Sequence, residues 1–252
     1  NMLHLGPRTF DELSGEIVQN TAFVLSKHEP VEQGGVYYRL VDGKNCADKE
    51  QLFLSHINGN VDGNRIYYPN VEQKNFEKIP GCPIGYWVSE NAICVISKSL
   101  SIADVASPKQ GLATGDNNRF LRSIWEISKD KRGLNKWVPC TKGGGFRKWY
   151  GNRDFVVNWY HNGEELQNTM YPDGSRVWGH NFNLDKLFLQ HIGWSDIVSS
   201  TGGLSFRLFE KGFLFDGSAN AIFESREQSV SFLYLLAYSN SCIPEYVRPL
   251  LN

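Results

Sequence analysis

Paired cysteines, long apolar runs and sequence-local catalytic motifs are all missing from this 252-residue chain. The five cysteines, Cys46, Cys82, Cys94, Cys140 and Cys242, are odd in number, widely spaced and never form a C-x-x-C pair. That spacing excludes a zinc ribbon or a thioredoxin-like redox motif and speaks against a disulfide framework. No N-x-[ST] glycosylation acceptor occurs, so the expected setting is reduced and cytoplasmic. The longest unbroken apolar run, Phe232 to Tyr238, is far short of the roughly 20 residues that span a bilayer. The first residues carry no charged-then-apolar leader, and the expectation is no membrane or export signal.

The missing motifs narrow the chemistry further. No G-x-x-x-x-G-K-[ST] string is present, and the glycines at 143–145 lack dinucleotide-fingerprint spacing, so no nucleotide cofactor turn is expected. His28-Glu29 is not followed by a second histidine at metalloprotease spacing, and the six histidines are scattered; a metal site is not expected. There is no G-x-S-x-G elbow, and Cys140 beside Lys142 has no evident histidine partner. Glu164 and Glu165, read as strand residues, point to opposite faces and cannot share one site. The expectation is a chain with no catalytic residue of its own.

What is present is a globular composition, 41% hydrophobic and 21% charged, enough to bury a substantial core. Net charge is −1, but unevenly spread: Arg119 to Arg153 holds ten Lys or Arg against Glu126 and Asp130, a local +8 against −9 elsewhere. Such asymmetry fits either a surface facing a polyanion or a solvated strand-and-turn face.

The chain divides by texture. Residues 16–26 and 35–42 read as strands, 47–57 has helical apolar spacing, and a helix capped by Ser89 runs through SENAICVISKS. After the polar stretch SLSIADVASPKQG (99–111), short strand-like runs (RFLRSIWEI, KWVPC, FVVNW, LSFRLF, GFLFD) alternate with Gly-, Asn- and Asp-rich turns, with little helical periodicity. GGLSFRLFEKGFLFDGSANAIF (202–223) reads as strands paired around Lys211-Gly212, its phenylalanines in the core. The tail from Ser229 reads as an apolar helix to Pro244, closing on the sheet. The expected fold class is α+β: a mixed part, residues 1–100, then a β-rich part, residues 101–252, closed by a C-terminal helix.

Two strings stand out. GLATGDNNRFLR (111–122) puts short polar residues on a turn before a strand, a composition that can hold phosphates or read base edges, with Asn117 or Asn118 suited to adenine; a plain hairpin turn is the alternative. KGGGFRKWYGN (142–152) sets three glycines beside charges and rings, as nucleic-acid surfaces do; the alternative is a β-bulge with Trp149 buried. One of Trp149 and Tyr150 is expected in the core in either case.

Taken together and in order, GLATGDNNRFLR, KWVPCTKGGGFRKWYGN, FVVNWYHNGEEL, IGWSDIVS and LSFRLFEKGFLFDG resemble the PglX-type adenine-specific DNA methyltransferases of BREX phage-defence systems. FDELSGEIVQNTAFVL, YYRLVD and KIPGCPIGYWVSE resemble the stretch before them. The resemblance implies that residues 1–100 are the end of a Rossmann-like methyltransferase domain with a connecting α/β segment. It also implies that residues 101–252 form a DNA target recognition domain similar to those of restriction–modification enzymes. The family's cofactor glycine motif and NPPY-type catalytic motif are absent here, so S-adenosylmethionine is expected in the parent enzyme and no cofactor in this chain. Double-stranded DNA is the implied partner. By resemblance and residue type, Lys142, Arg147, Lys148 and Arg153 are assigned to phosphates. Thr114, Asp116, Asn117 and Arg119 are assigned to loop contacts in the groove, and Trp149 or Tyr150 to a sugar or base. Two other readings compete: a carbohydrate-binding β module, and a scaffold for another phage-defence protein.

Overall fold

The computed structural model describes residues 1–12, 18–27, 34–59, 65–133, 136–197, 202–225 and 230–251. His28-Glu29 and the first two residues of the strand expected at 16–26 lie outside them. The architecture is α+β, and its contacts cluster into two units, residues 1–99 with 250–252 and residues 100–249.

The first unit is built on a four-stranded sheet of β1 (Met2–Gly6), β2 (Asn20–Phe23), β3 (Gly35–Arg39) and β4 (Tyr67–Val71) in the order β2-β1-β3-β4. β1 and β3 run parallel; the outer pairs are antiparallel. Helix α1 (Cys46–Ile57) starts where Asn45 accepts from the Asp48 N–H, an N-cap that satisfies an otherwise orphaned donor. Its buried residue is Lys49, whose ammonium donates to the carbonyls of Leu5 and Leu40, while Ile57 is exposed. Helix α2 (Glu90–Lys98) has Ser89 accepting from the Ala92 N–H, as the cap reading expected. Stacked and edge-on rings of Tyr37, Tyr68 and Tyr86 form this unit's core.

The stretch around 99–111 is not a plain connection. Ser101 caps a single turn, α3 (Ile102–Val105), that leads straight into β5 (Ala106–Lys109). β5 tolerates Pro108 because it is an outer strand, where a missing N–H need not break a ladder.

The second unit holds two sheets. Between β5 and the later strands come a helical turn α4 (Asn117–Phe120), β6 (Leu121–Ser123), β7 (Trp137–Thr141), β8 (Phe155–Asn158) and α5 (Tyr160–Asn168). Then follow β9 (His191–Trp194), β10 (Phe206–Phe209), β11 (Leu214–Phe215) and β12 (Ala221–Glu224). One sheet has the order β10-β9-β12-β5, antiparallel throughout. The other has the order β11-β7-β8-β6, with β11 parallel to β7. The strands expected to pair around Lys211-Gly212 therefore do not pair. Gly212, at φ +104°, donates to the Phe188 carbonyl and turns the chain from one sheet to the other. The phenylalanines of this stretch are buried, as expected.

Helix α5 replaces strand where Glu164 and Glu165 lie. The chain enters it through three left-handed residues, His161 to Gly163, and a Cβ at Gly163 would strike the Trp159 ring. Periodicity could not expose a helix this short, opened by a left-handed turn.

The tail forms two helices rather than one ending at Pro244. α6 (Phe232–Ser239) lays Leu235 and Leu236 against Ile192, Phe206 and Ile222. α7 (Cys242–Leu251) has Pro244 in its first turn, where a missing N–H costs no helical bond.

Between the sheets of the second unit His191 stacks on Phe209 and lies against Phe215 and Phe223, fully buried, with Nδ1 bonded to the Leu189 carbonyl. Burial pushes its pKa from 6.5 down to about 4. The buried ring is neutral in the folded state, so its contribution is complete above pH 6.5 and is lost as the medium falls toward pH 4. The loss amounts to about 3 kcal/mol. Thermal melts across this window should show a decline that is flatter in His191→Asn, whatever that variant's baseline.

Candidate nucleic-acid interface

Both strings singled out in the sequence are held by one turn, Asp216 to Ser218, that follows β11. Leu112 donates to the Phe215 carbonyl and accepts from Gly217. Gly111 lies so close that a Cβ there would meet the Asp216 carbonyl oxygen at 2.1 Å. From the other side, Lys142 Nζ pairs with Asp216 at 3.1 Å and the Gly143 N–H donates to Ser218 Oγ at 3.0 Å. The buried Asp216 carboxylate also accepts from the Ser218 N–H and hydroxyl.

The first string is a capped helical turn, not a hairpin. Asp116 accepts from the Arg119 N–H and starts α4. Gly115, at φ +74°, lies against the Trp178 indole, where a Cβ would come within 2.4 Å. Thr114 is buried and donates its hydroxyl to Asn117 Oδ1 at 2.6 Å. Asn117 itself is exposed, and among the described residues its amide N–H groups have no partner. Arg119 forms a two-nitrogen contact with Glu165 on α5.

The second string is exposed but not loose. Trp149 adds one rung to the edge of β10: its N–H donates to Phe206 at 2.8 Å and its carbonyl accepts from Leu208 at 3.1 Å. Lys148 Nζ donates to the Asn240 carbonyl at the end of α6, and Asn152 donates to the Gly145 carbonyl. Asn240 bonds both the N–H and the C=O of Phe206 with its side chain, so helix, edge strand and loop share one anchor. Trp149 sits at φ +74°, a conformation that a side chain adopts only when neighbours impose it. Contrary to the expectation that one ring would enter the core, Phe146, Trp149 and Tyr150 are 55%, 52% and 68% exposed.

The ten basic residues of Arg119 to Arg153 are not equally free. Arg119 is answered by Glu165, Lys142 by Asp216, and Arg153 by both oxygens of Glu210. Arg153 is further wedged over the Tyr150, Phe209 and Phe213 rings. Although, after the Leu204 N–H and Arg248, the charge of Lys148 helps hold the Glu245 carboxyl below its usual range, no carboxylate among the described residues lies within 4.0 Å of Arg147 or Lys148. Beneath them lies Arg207, buried on β10, which the sequence reading passed over because the residues around it read as core. Its only signal was a charge inside the run LSFRLF.

Cys140 is buried, and burial pushes its thiol well above the ordinary range, so it holds almost no thiolate near neutrality. All five cysteines are free. Among the described residues no group of three or more His, Cys, Asp or Glu is placed to hold a metal ion, and no helix is long and apolar enough to cross a membrane.

The second unit is therefore a β-rich frame presenting a tethered loop of exposed rings and cations and, tied to the same Asp216 turn, a capped turn with an exposed amide. No family model matches the chain. It is 38% identical over 252 residues to an adenine-specific methyltransferase PglX from Lacticaseibacillus casei (strain Zhang), covering 96% of this chain and 20% of that protein. It is 33% identical over 257 residues to an adenine-specific methyltransferase BrxX from Escherichia coli O9:H4 (strain HS), covering 99% of this chain and 20% of that protein. The chain is thus homologous to a segment of PglX-type adenine-specific methyltransferases, and spans about one-fifth of the length of these relatives.

The Asp216 turn allows a direct check. Asp216→Ala strands Lys142 and the Ser218 N–H, and should cost about 3 kcal/mol in urea unfolding, the range for removing one partner of a largely buried charged pair. Asp216→Asn combined with Lys142→Met should recover a large part of that loss.

Proposed function

We propose that this chain is the DNA-recognition segment of an adenine-specific DNA methyltransferase of a restriction–modification or BREX phage-defence system. In this reading residues 101–252 act as the target recognition domain, and residues 1–100 belong to the end of the methyltransferase domain. Catalysis and S-adenosylmethionine binding fall to the rest of the parent enzyme, which acts in the cytoplasm on double-stranded DNA. The observation that carries the reading is the loop 142–152: a tethered, exposed element in which, among the described residues, no carboxylate lies within 4.0 Å of Arg147 or Lys148 and three aromatic side chains are more than half exposed.

Methylating an adenine amine takes the base out of the duplex, so a separate module must fix register through phosphates and choose sequence through base edges. Arg147 and Lys148 supply the phosphate contacts at least cost. Lys142 and Arg153 take the same role only by giving up Asp216 and Glu210. Trp149 and Tyr150 offer faces to a sugar or base. Asn117 is the base-edge candidate, since an amide accepts and donates at once to adenine. Thr114 acts through Asn117, which it orients, Asp116 by capping the turn, and Arg119 from its pair with Glu165.

The three exposed rings also favour one competing reading, stacking on a neutral carbohydrate. The readings part on salt. Arg147→Ala with Lys148→Ala should weaken binding to every duplex alike and make the salt slope shallower by about two ion equivalents. Asn117→Ala should cost about 1–3 kcal/mol on the preferred duplex and little on others. Titrations at two salt concentrations measure both; unchanged binding of the double variant would remove the loop as a phosphate clamp. Salt-insensitive binding of a neutral oligosaccharide would favour the carbohydrate reading.

A further inference from the structure

Among the described residues Arg207 is the largest fully buried side chain. Its Nη1 donates to the Arg147 carbonyl at 3.2 Å and to Ser205 Oγ at 3.4 Å, and its Nη2 donates to Ser195 Oγ at 3.1 Å. Nε has no partner. Ser195 passes the connection on by donating to the Gly144 carbonyl at 3.5 Å, so the guanidinium reaches the loop at two points. Among the described residues no carboxylate lies within 4.0 Å of it, in contrast to Arg119, Lys142 and Arg153. Burial and the charge of Arg147 push its pKa down to about 10, which leaves it charged at neutral pH.

A buried cation answered only by neutral oxygens is costly, and an apolar side chain of similar volume would be easier to accommodate. Tying the loop does not require charge. One residue away, Asn240 holds both backbone groups of Phe206 with a neutral amide. The charge at 207 therefore asks for a role beyond tethering.

We propose that Arg207 is a positioning residue for phosphate binding: it fixes the Arg147–Lys148 peptide in the conformation that presents those two cations, and supplies a third positive charge beneath them. A bound phosphate then supplies the anion that the protein withholds. The inference rests on the DNA reading of the loop and names a residue that acts without touching DNA.

The test uses the full chain and the variants Arg207→Met and Arg207→Lys. Trypsin attacks the carbonyl carbon of Arg147, whose oxygen Arg207 holds, so cleavage at this bond reports the tether without any DNA. Mass spectrometry of the free proteins should show Arg147 cut about tenfold or more faster in both variants, because local opening there becomes easier. Arg207→Met should melt no lower than the wild type. Its affinity for a mixed-sequence duplex should fall about fivefold or more at low salt, with a salt slope shallower by up to about one ion equivalent. Arg207→Lys should keep the wild-type slope. If Arg207→Met does not fold, the cleavage rate and slope of Arg207→Lys decide. Wild-type cleavage rates in the variants, or a parallel fall of melting temperature and affinity with an unchanged slope, would overturn the proposal. A wild type that binds no duplex overturns the DNA reading instead; a wild type that binds no better than Arg207→Met overturns the role of Arg207 alone.

Discussion

The second unit depends on a buried carboxylate. Asp216 follows β11 and accepts from Lys142 and from the backbone and hydroxyl of Ser218. Around it meet the segment leading from β5, the end of β7 and, through the Asp196 N–H on the Ser218 carbonyl, the segment after β9. Three glycines in a row cannot hold a shape by side-chain packing, so the loop 142–152 takes its shape from what its ends, and its Gly144 and Arg147 carbonyls, are bonded to. One end is this turn; the other is the edge of β10, where Trp149 adds a rung and Asn240 closes α6 onto the same strand. Glycine at 143 is required because the Ser218 carbonyl occupies the space a Cβ would take.

Charge counted along the chain differs from charge in space. The basic stretch looked like a +8 patch against an acidic remainder, yet Glu165, Glu210 and Asp216 come from that remainder and fold back onto it. The exposed Arg119–Glu165 pair contributes little stability and the Lys142–Asp216 pair is largely buried, but all three pairs change which cations remain available to a partner. Three of the ten cations are answered in this way; among those that are not, Arg147 and Lys148 are adjacent on a loop tied to β10, with Arg207 below it. Adjacent charges on a tethered frame suit register-setting contacts.

Elements with strong local signals were legible: α1 from its apolar spacing, α2 from its Ser89 cap, and β6, β7, β8, β10 and β11 from β-branched and aromatic runs. Sheet membership was not, because Gly212 hands the chain between sheets through a bond to Phe188, far off in sequence. Helix α5 was hidden by its left-handed entry, and the second terminal helix by a proline that a first turn accepts. At the candidate site the loop 142–152 was legible from composition, since rings and charges beside glycines have few structural uses. The exposure of both Trp149 and Tyr150 was not, because it follows from the backbone pairing with β10. Arg207 was invisible for the same reason: a charge in an apolar strand reads as an outward residue until the loop covering it is known.

The central claim is that the loop 142–152 and the Asn117 turn receive duplex DNA. Hydrogen–deuterium exchange of the full chain with and without a mixed-sequence duplex tests it most directly, because the N–H groups of Gly144 to Lys148 have no partner within the described residues and exchange quickly when free. The account predicts that DNA slows exchange first at 144–148 and around Asp116 to Arg119, and that added salt reverses it. Slowed exchange confined to residues 1–99, or no change at 144–148 under conditions where DNA is bound, would contradict it.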